Sequence, residues 1–206
     1  MTLVFDLDNT LINRNKAYWL WLKNDVLSKL QTIDKNLILH YDNWGYTSRH
    51  HFYKWLIKKY KLSTTPEILT LKCANELHNY VVMNYEILAI LERLEKQYKL
   101  IIATNGGIQN QTNKLKAAGI LNHIEHVYIS EEIGYRKPDH NFYKHIQKTK
   151  NYSSSELMMI GDHYLQDYLT PRDLGWKSIW LSHNRPLITH NNISSLKDLI
   201  SYLREK

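Results

Sequence analysis

Five short apolar runs, each ending in polar residues, are spread along most of the chain. They are LVFD at 3–6, LIIATN at 100–105, HVYIS at 126–130, LMMIGD at 157–162 and KSIWL at 177–181. Apolar runs of this length, without polar alternation, are typical of strands that are buried on both faces. Because helices bury both faces of a parallel sheet, these runs predict the strands of such a sheet.

Helical patterns lie between these predicted strands. YEILAILERLEKQY at 85–98 places four aliphatic side chains at three- and four-residue spacing. Further helices are predicted at 107–119, at 140–150 and from Ser195, where a Ser-x-x-Asp capping pattern begins. Strands that alternate with helices predict an α/β fold with a doubly wound, Rossmann-like parallel sheet.

The stretch from 15 to 84 interrupts this alternation. It shows only helical patterns, in KAYWLWLKNDVLSKL, SRHHFYKWLIKKY and PEILTLKCANELHNYVV, and Pro66 stands where a helix can begin. We therefore predict a small all-helical domain at 15–84, inserted after the first strand. The predicted core domain consists of 1–14 and 85–206.

Composition narrows the classes of protein to which the chain can belong. The formal net charge is +7, but the lysines are scattered and there is no arginine-rich tract, so we expect no nucleic-acid partner. Cys73 is the only cysteine, which excludes an internal disulfide and a cysteine-rich zinc site. The apolar runs are far shorter than the roughly 18 residues of a membrane span. We expect a cytoplasmic protein, a monomer or homodimer, without a membrane partner.

Polar residues at the ends of the predicted strands are the candidate functional groups. Ligands of open α/β sheets bind outside the carboxyl ends of the strands. These positions hold Asp6, Asp8, Thr104, Asn105 and Asp162, while Lys137 and Asp167 lie in the loops after two of the strands. If the first strand runs from Thr2 to Asp8, Asp6 and Asp8 point the same way and repel each other. Such a pair is expected only where a cation or a reaction needs it.

Four motifs, in chain order, resemble those of a known family. DLDNTL at 6–11, ATNG at 103–106, RKPD at 136–139 and GDHYLQD at 161–167 resemble the motifs of the haloacid dehalogenase-like (HAD) phosphatases. Each motif alone is common, but all four fall at a predicted strand end or in the following loop. The resemblance covers nearly the whole chain outside 15–84. It implies the HAD fold, with the helical insert as a cap domain.

The resemblance implies a role for each motif residue. Asp6 would be the nucleophile that forms an aspartyl-phosphate. Asp8 would protonate the leaving alcohol and then activate water, and its presence favours a phosphatase over a dehalogenase. Thr104 and Asn105 would bind phosphate oxygens, and Lys137 would offset charge during the transfer.

The resemblance also implies a Mg²⁺ ion. Asp6, the main-chain carbonyl of Asp8 and Asp162 would hold it, and Asp167 would orient them from beside the metal. The four aspartates carry at most four negative charges, and a phosphomonoester brings about two more, so such a site needs a cation. Carboxylates without paired histidines favour Mg²⁺ over zinc. With Asp6 held anionic by the metal, a proton on Asp8 is plausible.

The helical insert is the region expected to select the leaving group. It holds four of the six tryptophans, and most of its aromatic residues are expected to form its own core, as Phe52, Trp55 and Leu56 do at helical spacing. A few could stack on a nucleobase. The candidate substrate contacts are Tyr18, Trp19, Trp44 and, from the core, His163. For His163, local packing at a helix entry is the alternative interpretation.

The stretch from Ala103 to Tyr143 has a finer resemblance, to the bacterial pyrimidine 5′-nucleotidases of this superfamily. N-acylneuraminate-9-phosphatases look similar. The leading hypothesis is a Mg²⁺-dependent phosphomonoesterase for a small metabolite, a nucleoside 5′-monophosphate. A sugar-phosphate or related phosphatase is the alternative. A non-catalytic binding protein on the same fold is a second alternative, which loss of a motif aspartate or of Lys137 would favour.

Overall fold

The computed structural model describes residues 1–183, 185 and 191–204, and its centre is a six-stranded sheet. The strands are β1 (Thr2–Phe5), β2 (Lys99–Thr104), β3 (His126–Ile129), β4 (Leu157–Gly161), β5 (Lys177–Leu181) and β6 (Asn192–Ile193). Their order is β3-β2-β1-β4-β5-β6, and every neighbouring pair is parallel. The predicted α/β fold is confirmed, and β6 is an addition to the predicted strands.

Helices connect the strands and cover the sheet. In the described part of the chain they are α1 (Arg14–Trp21), α2 (Lys35–Asp42), α3 (Arg49–Tyr60), α4 (Pro66–Glu76), α5 (Tyr85–Leu94), α6 (Ile108–Ala118), α7 (Ser130–Ile133), α8 (His140–Thr149), α9 (Thr170–Asp173) and α10 (Leu199–Arg204). The patterns at 85–98, 107–119 and 140–150 correspond to α5, α6 and α8. The predicted capping pattern at Ser195 forms, followed by α10. Residues 205 and 206, where the predicted last helix and core end, lie outside the described residues.

The sheet separates two apolar clusters. Leu3 and Phe5 of β1 belong to one cluster and Val4 to the other, and all three side chains are 0% exposed. Alternate residues of a strand face opposite sides of the sheet, so β1 is buried on both faces, as its unbroken apolar run predicts. This burial fixes the position at which the chain leaves β1, and therefore the position of Asp6.

The segment at 15–84 is described throughout, and no strand occurs in it. Its helices surround a separate aromatic cluster that includes Tyr18, Trp21, Phe52 and Tyr53. Trp55 is only partly buried against this cluster. Pro66 opens α4, as the sequence predicts. Among the described helices, none has the length and apolar composition to cross a membrane.

The chain leaves the sheet earlier than the sequence predicts. β1 ends at Phe5, although the amide of Asp6 still donates to β4 at 2.9 Å. The amides of residues 10–12 all donate to the carbonyl of Leu7, which closes a tight turn around Asp8. The prediction that β1 runs to Asp8 is therefore wrong. The turn, rather than strand alternation, sets the direction of the Asp8 carboxylate.

Candidate active site

Three neighbouring strands bring polar residues to one edge of the sheet. β1 lies between β2 and β4 and is parallel to both. Asp6 follows β1, Thr104 ends β2 and Asp162 follows β4. All three residues are buried. The carboxyl edge of the sheet is thus where the predicted motif residues meet, as expected for an open α/β sheet.

Lys137 joins two of the acidic residues. Its Nζ lies 2.8 Å from Oδ1 of Asp6 and 2.6 Å from Oδ1 of Asp167, and its side chain is 1% exposed. Burial alone would lower the pKa of Lys137, but Asp167 and Asp6 outweigh burial and raise it, so the ammonium stays charged. The side chain of Asn105 accepts from the Lys137 amide and donates to its carbonyl, both at 2.9 Å. Asn105 therefore fixes the loop that carries Lys137.

Asp6, Asp162 and Asp167 form a compact, buried group of carboxylates. One oxygen of each lies within 4.8 Å of the others. Burial, with the neighbouring carboxylates, raises the pKa of Asp6 against the opposing effect of Lys137, and raises the pKa of Asp162 to about 7. Three carboxylates and one ammonium leave two formal negative charges. This donor set therefore fits a hard divalent cation such as Mg²⁺.

Asp8 has a counter-ion of its own. Both its carboxylate oxygens lie 2.6 Å from Nζ of Lys114. Burial by itself raises the pKa of Asp8, but Lys114 outweighs burial and holds that pKa below its usual value. The pKa values of Asp6 and Asp8 are thus shifted in opposite directions, and Asp8 is a carboxylate in this geometry. Lys114 thus stabilises the charged form, while the expected proton on Asp8, which concerns a site with a metal on Asp6, stays a prediction.

Two residues of α6 that the motifs do not include organise the same edge. Gln111 and Lys114 lie one helical turn apart, and both are buried. The Gln111 amide nitrogen donates to Asp8, to the Thr104 hydroxyl and to the Asn105 carbonyl. The sequence signal for both residues is their place: α6 directly follows the ATNG motif, so its first turns face the edge where the carboxylates lie.

Gly161 leaves the space that Asp167 occupies. A methyl group at Gly161 would overlap Cγ and Oδ2 of Asp167. We expect Gly161→Ala to displace Asp167 and lower kcat by about 10²-fold, the typical effect of misplacing a catalytic group by about 1 Å. Phosphate release at saturating substrate measures the change. Gly107→Ala is the matched control, because its Cβ would lie 3.6 Å from the nearest side chain. An unchanged kcat in Gly161→Ala would contradict a catalytic position for Asp167.

A cavity of about 640 Å³ contains this site. The core and the α1–α4 segment both line it, and Tyr18, Trp44 and His163 are among the lining residues. Trp19 is not one of them; its ring lies against Lys35, whose Nζ is 5.5 Å from the ring centroid. Consecutive residues of a helix point in directions about 100° apart, which separates Trp19 from Tyr18. Three of the four candidate contacts therefore reach the cavity.

Tyr46 connects the helical segment to the acidic group. Its hydroxyl donates to Oδ2 of Asp162 at 2.8 Å, and its ring meets the His163 ring edge-on, with centroids 4.1 Å apart. His163 also accepts, through Nδ1, a hydrogen bond from the Gln166 amide at 3.4 Å. His163 thus has the local packing role that was its alternative interpretation, in addition to its place in the cavity wall.

A left-handed turn brings Trp44 onto the core. Asn43, Trp44 and Gly45 have φ values of 47°, 58° and 88°. The Trp44 carbonyl accepts from Nδ2 of Asn9 at 3.2 Å, and its ring stacks on His183 with centroids 5.9 Å apart. A bulky residue rarely adopts positive φ. The contacts with the core therefore stabilise an otherwise unfavourable turn.

The chain matches one family over most of its length. Residues 3–181 match the model of the haloacid dehalogenase-like hydrolases. The chain belongs to this family, and relatives of the chain are named as a nucleotidase and a phosphatase. The fold, the four motifs and the grouped aspartates agree with that membership.

Two relatives of the chain have names that specify different substrates. Pyrimidine 5′-nucleotidase PynA of Streptococcus pneumoniae is 26% identical over 189 residues, which cover 91% of this chain and 73% of that protein. Glyceraldehyde 3-phosphate phosphatase of Pyrococcus abyssi is 26% identical over 193 residues, which cover 88% of this chain and 81% of that protein. Sequence similarity alone therefore does not select the substrate.

A solved structure shows the same fold. The HAD-hydrolase YfnB of Bacillus subtilis, bound to magnesium, aligns with a TM-score of 0.78 over 98% of this chain and 97% of that chain. The two sequences are 18% identical, so the likeness concerns the fold. The YfnB crystal structure is described as revealing interdomain movement.

Proposed function

We propose that this protein is a Mg²⁺-dependent phosphomonoester hydrolase that forms an aspartyl-phosphate on Asp6. The observation that carries the proposal is the pairing of Lys137 with both Asp6 and Asp167 inside a buried group that is short of positive charge. Buried, uncompensated carboxylates are unfavourable for stability and are found chiefly where chemistry requires them. Together with family membership, this arrangement supports phosphoryl transfer.

The first step moves the phosphoryl group to the protein. A carboxylate oxygen of Asp6 attacks phosphorus, and the bond between phosphorus and the leaving oxygen breaks. Lys137 offsets the charge of the transferred group. The Thr104 hydroxyl and the main-chain amide of Asn105 donate hydrogen bonds to the phosphoryl oxygens.

In this proposal Asp8 is the general acid and then the general base. It gives one proton to the leaving alkoxide and later takes one from the attacking water, which breaks the bond between phosphorus and Asp6. Because Lys114 favours the ionised form of Asp8, we infer that the first proton arrives with the substrate, whose monoanion has a pKa of about 6. The proton taken from water leaves with the product phosphate, so the cycle balances.

Asp6, Asp162 and the main-chain carbonyl of Asp8 are the groups that would hold Mg²⁺. Asp167 would orient them, because it already bonds Lys137 and accepts from the His163 amide at 3.0 Å. When bound, Mg²⁺ supplies positive charge for the carboxylates and for the phosphoryl oxygens. The excess negative charge of the buried group is the feature that supports this assignment.

For the substrate, we propose a nucleoside 5′-monophosphate, with a sugar phosphate or related metabolite as the alternative. Residues 15–84 would act as a cap over a core of 1–14 and 85–206 and would exclude water from the site. The cavity is large enough for a nucleotide-sized ligand and has the aromatic residues Tyr18, Trp44 and Tyr46 in its wall. The similarity to PynA supports a nucleotide substrate, and the similarity to the Pyrococcus abyssi phosphatase supports the alternative, a sugar phosphate or related metabolite.

A panel of phosphomonoesters tests the function. We expect phosphate release from pyrimidine nucleoside monophosphates to exceed that from purine nucleotides and sugar phosphates, and we expect chelator to stop it. Restoring Mg²⁺ in excess over the chelator should restore the rate. If a sugar phosphate were the best substrate, the proposal of a nucleotide substrate would be wrong and the proposed mechanism would still hold. Turnover that chelator leaves unchanged would contradict the metal, and no turnover of any phosphomonoester would contradict the proposal.

A further inference from the structure

Two tyrosine hydroxyls in the cavity wall have no oxygen or nitrogen partner among the described residues. The side chains of Tyr18 and Tyr53 are 0% exposed, and the Tyr53 hydroxyl has only the Cys73 thiol, a weak hydrogen-bonding group, beside it. Both residues line the cavity that also holds Asp6. Buried polar groups are nearly always hydrogen-bonded, so these hydroxyls point to a molecule that enters the cavity.

Arg49 adds a guanidinium to the same wall. Its Cζ lies 4.7 Å from the ring centroid of Tyr18, and its side chain, 31% exposed, lines the cavity. Nη1 of Arg49 donates to Asp42 at 2.8 Å, and Arg14 donates to both oxygens of the same carboxylate. Two guanidinium groups and one carboxylate leave one positive charge beside the two tyrosines.

The hydrogen-bond acceptors next to Arg49 already have partners. Both oxygens of Asp42 accept from guanidinium groups, and the carbonyl of Gly45 accepts from Arg49 at 3.4 Å. Burial raises the pKa of Tyr18 above its usual value, so the hydroxyl keeps its proton. Next to Arg49, the groups still available to a ligand are therefore its guanidinium and the hydroxyls of the two tyrosines, each of which can donate a hydrogen bond.

We propose that Tyr18, Tyr53 and Arg49 form the leaving-group subsite and bind acceptor oxygens that the substrate carries beyond its phosphate. The proposal rests on the proposed function, which places the phosphate at Asp6. The required chemistry is a carbonyl or carboxylate oxygen, which either a nucleobase or a phosphorylated acid provides. The tyrosine rings already pack on other aromatic rings, with Trp21 5.5 Å from Tyr18 and 6.4 Å from Tyr53, so their hydroxyls are the groups that meet the ligand.

Binding to the Asp6→Asn variant tests the subsite without turnover. Calorimetry in the presence of Mg²⁺ compares two matched pairs. Uridine and cytidine 5′-monophosphate differ by a carbonyl against an amino group, and phosphoglycolate and ethyl phosphate differ by a carboxylate against a methyl group. In at least one pair we expect the member with the additional oxygen, uridine 5′-monophosphate or phosphoglycolate, to bind about 10-fold more tightly. A preference in the nucleotide pair would assign the oxygen to a nucleobase, and a preference in the other pair would assign it to a carboxylate.

Further substitutions in the Asp6→Asn background assign the preference to residues. Tyr53→Phe removes only a hydroxyl, and Arg49→Met removes the guanidinium while Arg14 still pairs with Asp42. We expect each to reduce the affinity ratio to about 2-fold or less. Arg93→Met, on the exposed side of α5, is the control and should keep the ratio.

The outcomes separate the subsite from the proposed function. Equal affinities within both pairs, or a ratio that neither substitution changes, would overturn the subsite. Hydrolysis of phenyl phosphate by the unmodified protein is measured separately, because its leaving group carries no second acceptor oxygen. Failure there counts against the phosphatase chemistry, while the affinity ratios still decide the subsite.

Discussion

Replacing Asp6 by asparagine is expected to lower kcat by at least about 10³-fold, because an amide cannot form the acyl phosphate on which turnover depends. The fold should survive the change. Burial raises the pKa of Asp6 above its usual value, so the ionised side chain lowers the stability of the folded protein at neutral pH. A neutral amide of the same shape removes that penalty. We therefore expect Tm in chelator to be unchanged or higher.

Phosphate release measures the expected loss of kcat in Asp6→Asn, and thermal unfolding of the same preparation measures Tm. Asp173→Asn changes an exposed aspartate of α9 and should keep the wild-type rate, which controls for a general effect of lost charge. Turnover by Asp6→Asn above about 1% of wild type would rule out Asp6 as the nucleophile. A fall in Tm would instead contradict the charge argument.

Lys137→Met is expected to affect stability as well as rate. The ammonium is buried between Asp6 and Asp167, and its loss leaves these two carboxylates without the cation that they share. Removing one partner of a buried ion pair typically lowers the free energy of unfolding by about 3–5 kcal/mol. We expect kcat to fall by about 10²-fold or more, because the transferred phosphoryl group also loses its counter-charge.

Urea unfolding in chelator measures the stability change, and phosphate release with Mg²⁺ measures the rate. Lys197→Met is the matched control: Lys197 pairs with Glu86 at 2.6 Å, but both side chains are more than half exposed. Exposed pairs contribute about 0–1 kcal/mol, so this variant should unfold almost as the wild type does. If the free energy of unfolding fell equally in the two variants, burial of Lys137 would not be what sets its contribution to stability.

The sheet could be predicted because strands buried on both faces leave unbroken apolar runs. All five apolar runs form strands, and four of these strands end within one residue of their predicted ends. β6 could not be predicted, because Asn192–Ile193 is too short to leave a pattern. The end of β1 could not be predicted either, since the hydrogen bonds to the Leu7 carbonyl, rather than side-chain alternation, turn the chain at Asp8.

Within the site, the motif residues could be named, but their partners could not. Asp8 and Lys114 are 106 residues apart, and no local pattern signals that they meet. The same limit applies to Tyr46 and Asp162, 116 residues apart. The sequence does not tell which tyrosine hydroxyls lack a hydrogen-bond partner, because pairing depends on the polar groups that the neighbouring helices place next to each hydroxyl. Trp19 and Tyr18 show that adjacent aromatic residues differ in access to the cavity.

The central place of β1 in the sheet has a consequence for biosynthesis. During translation this strand emerges before both of its neighbours, β2 and β4, and more than 90 residues separate it from the nearer one. Non-local pairing of this kind slows folding, because a long loop must close before the contacts form. An incomplete nascent chain therefore holds Asp6 without Lys137 or Asp162. The buried charged group that the proposed chemistry requires therefore forms only after the last of its members has been made.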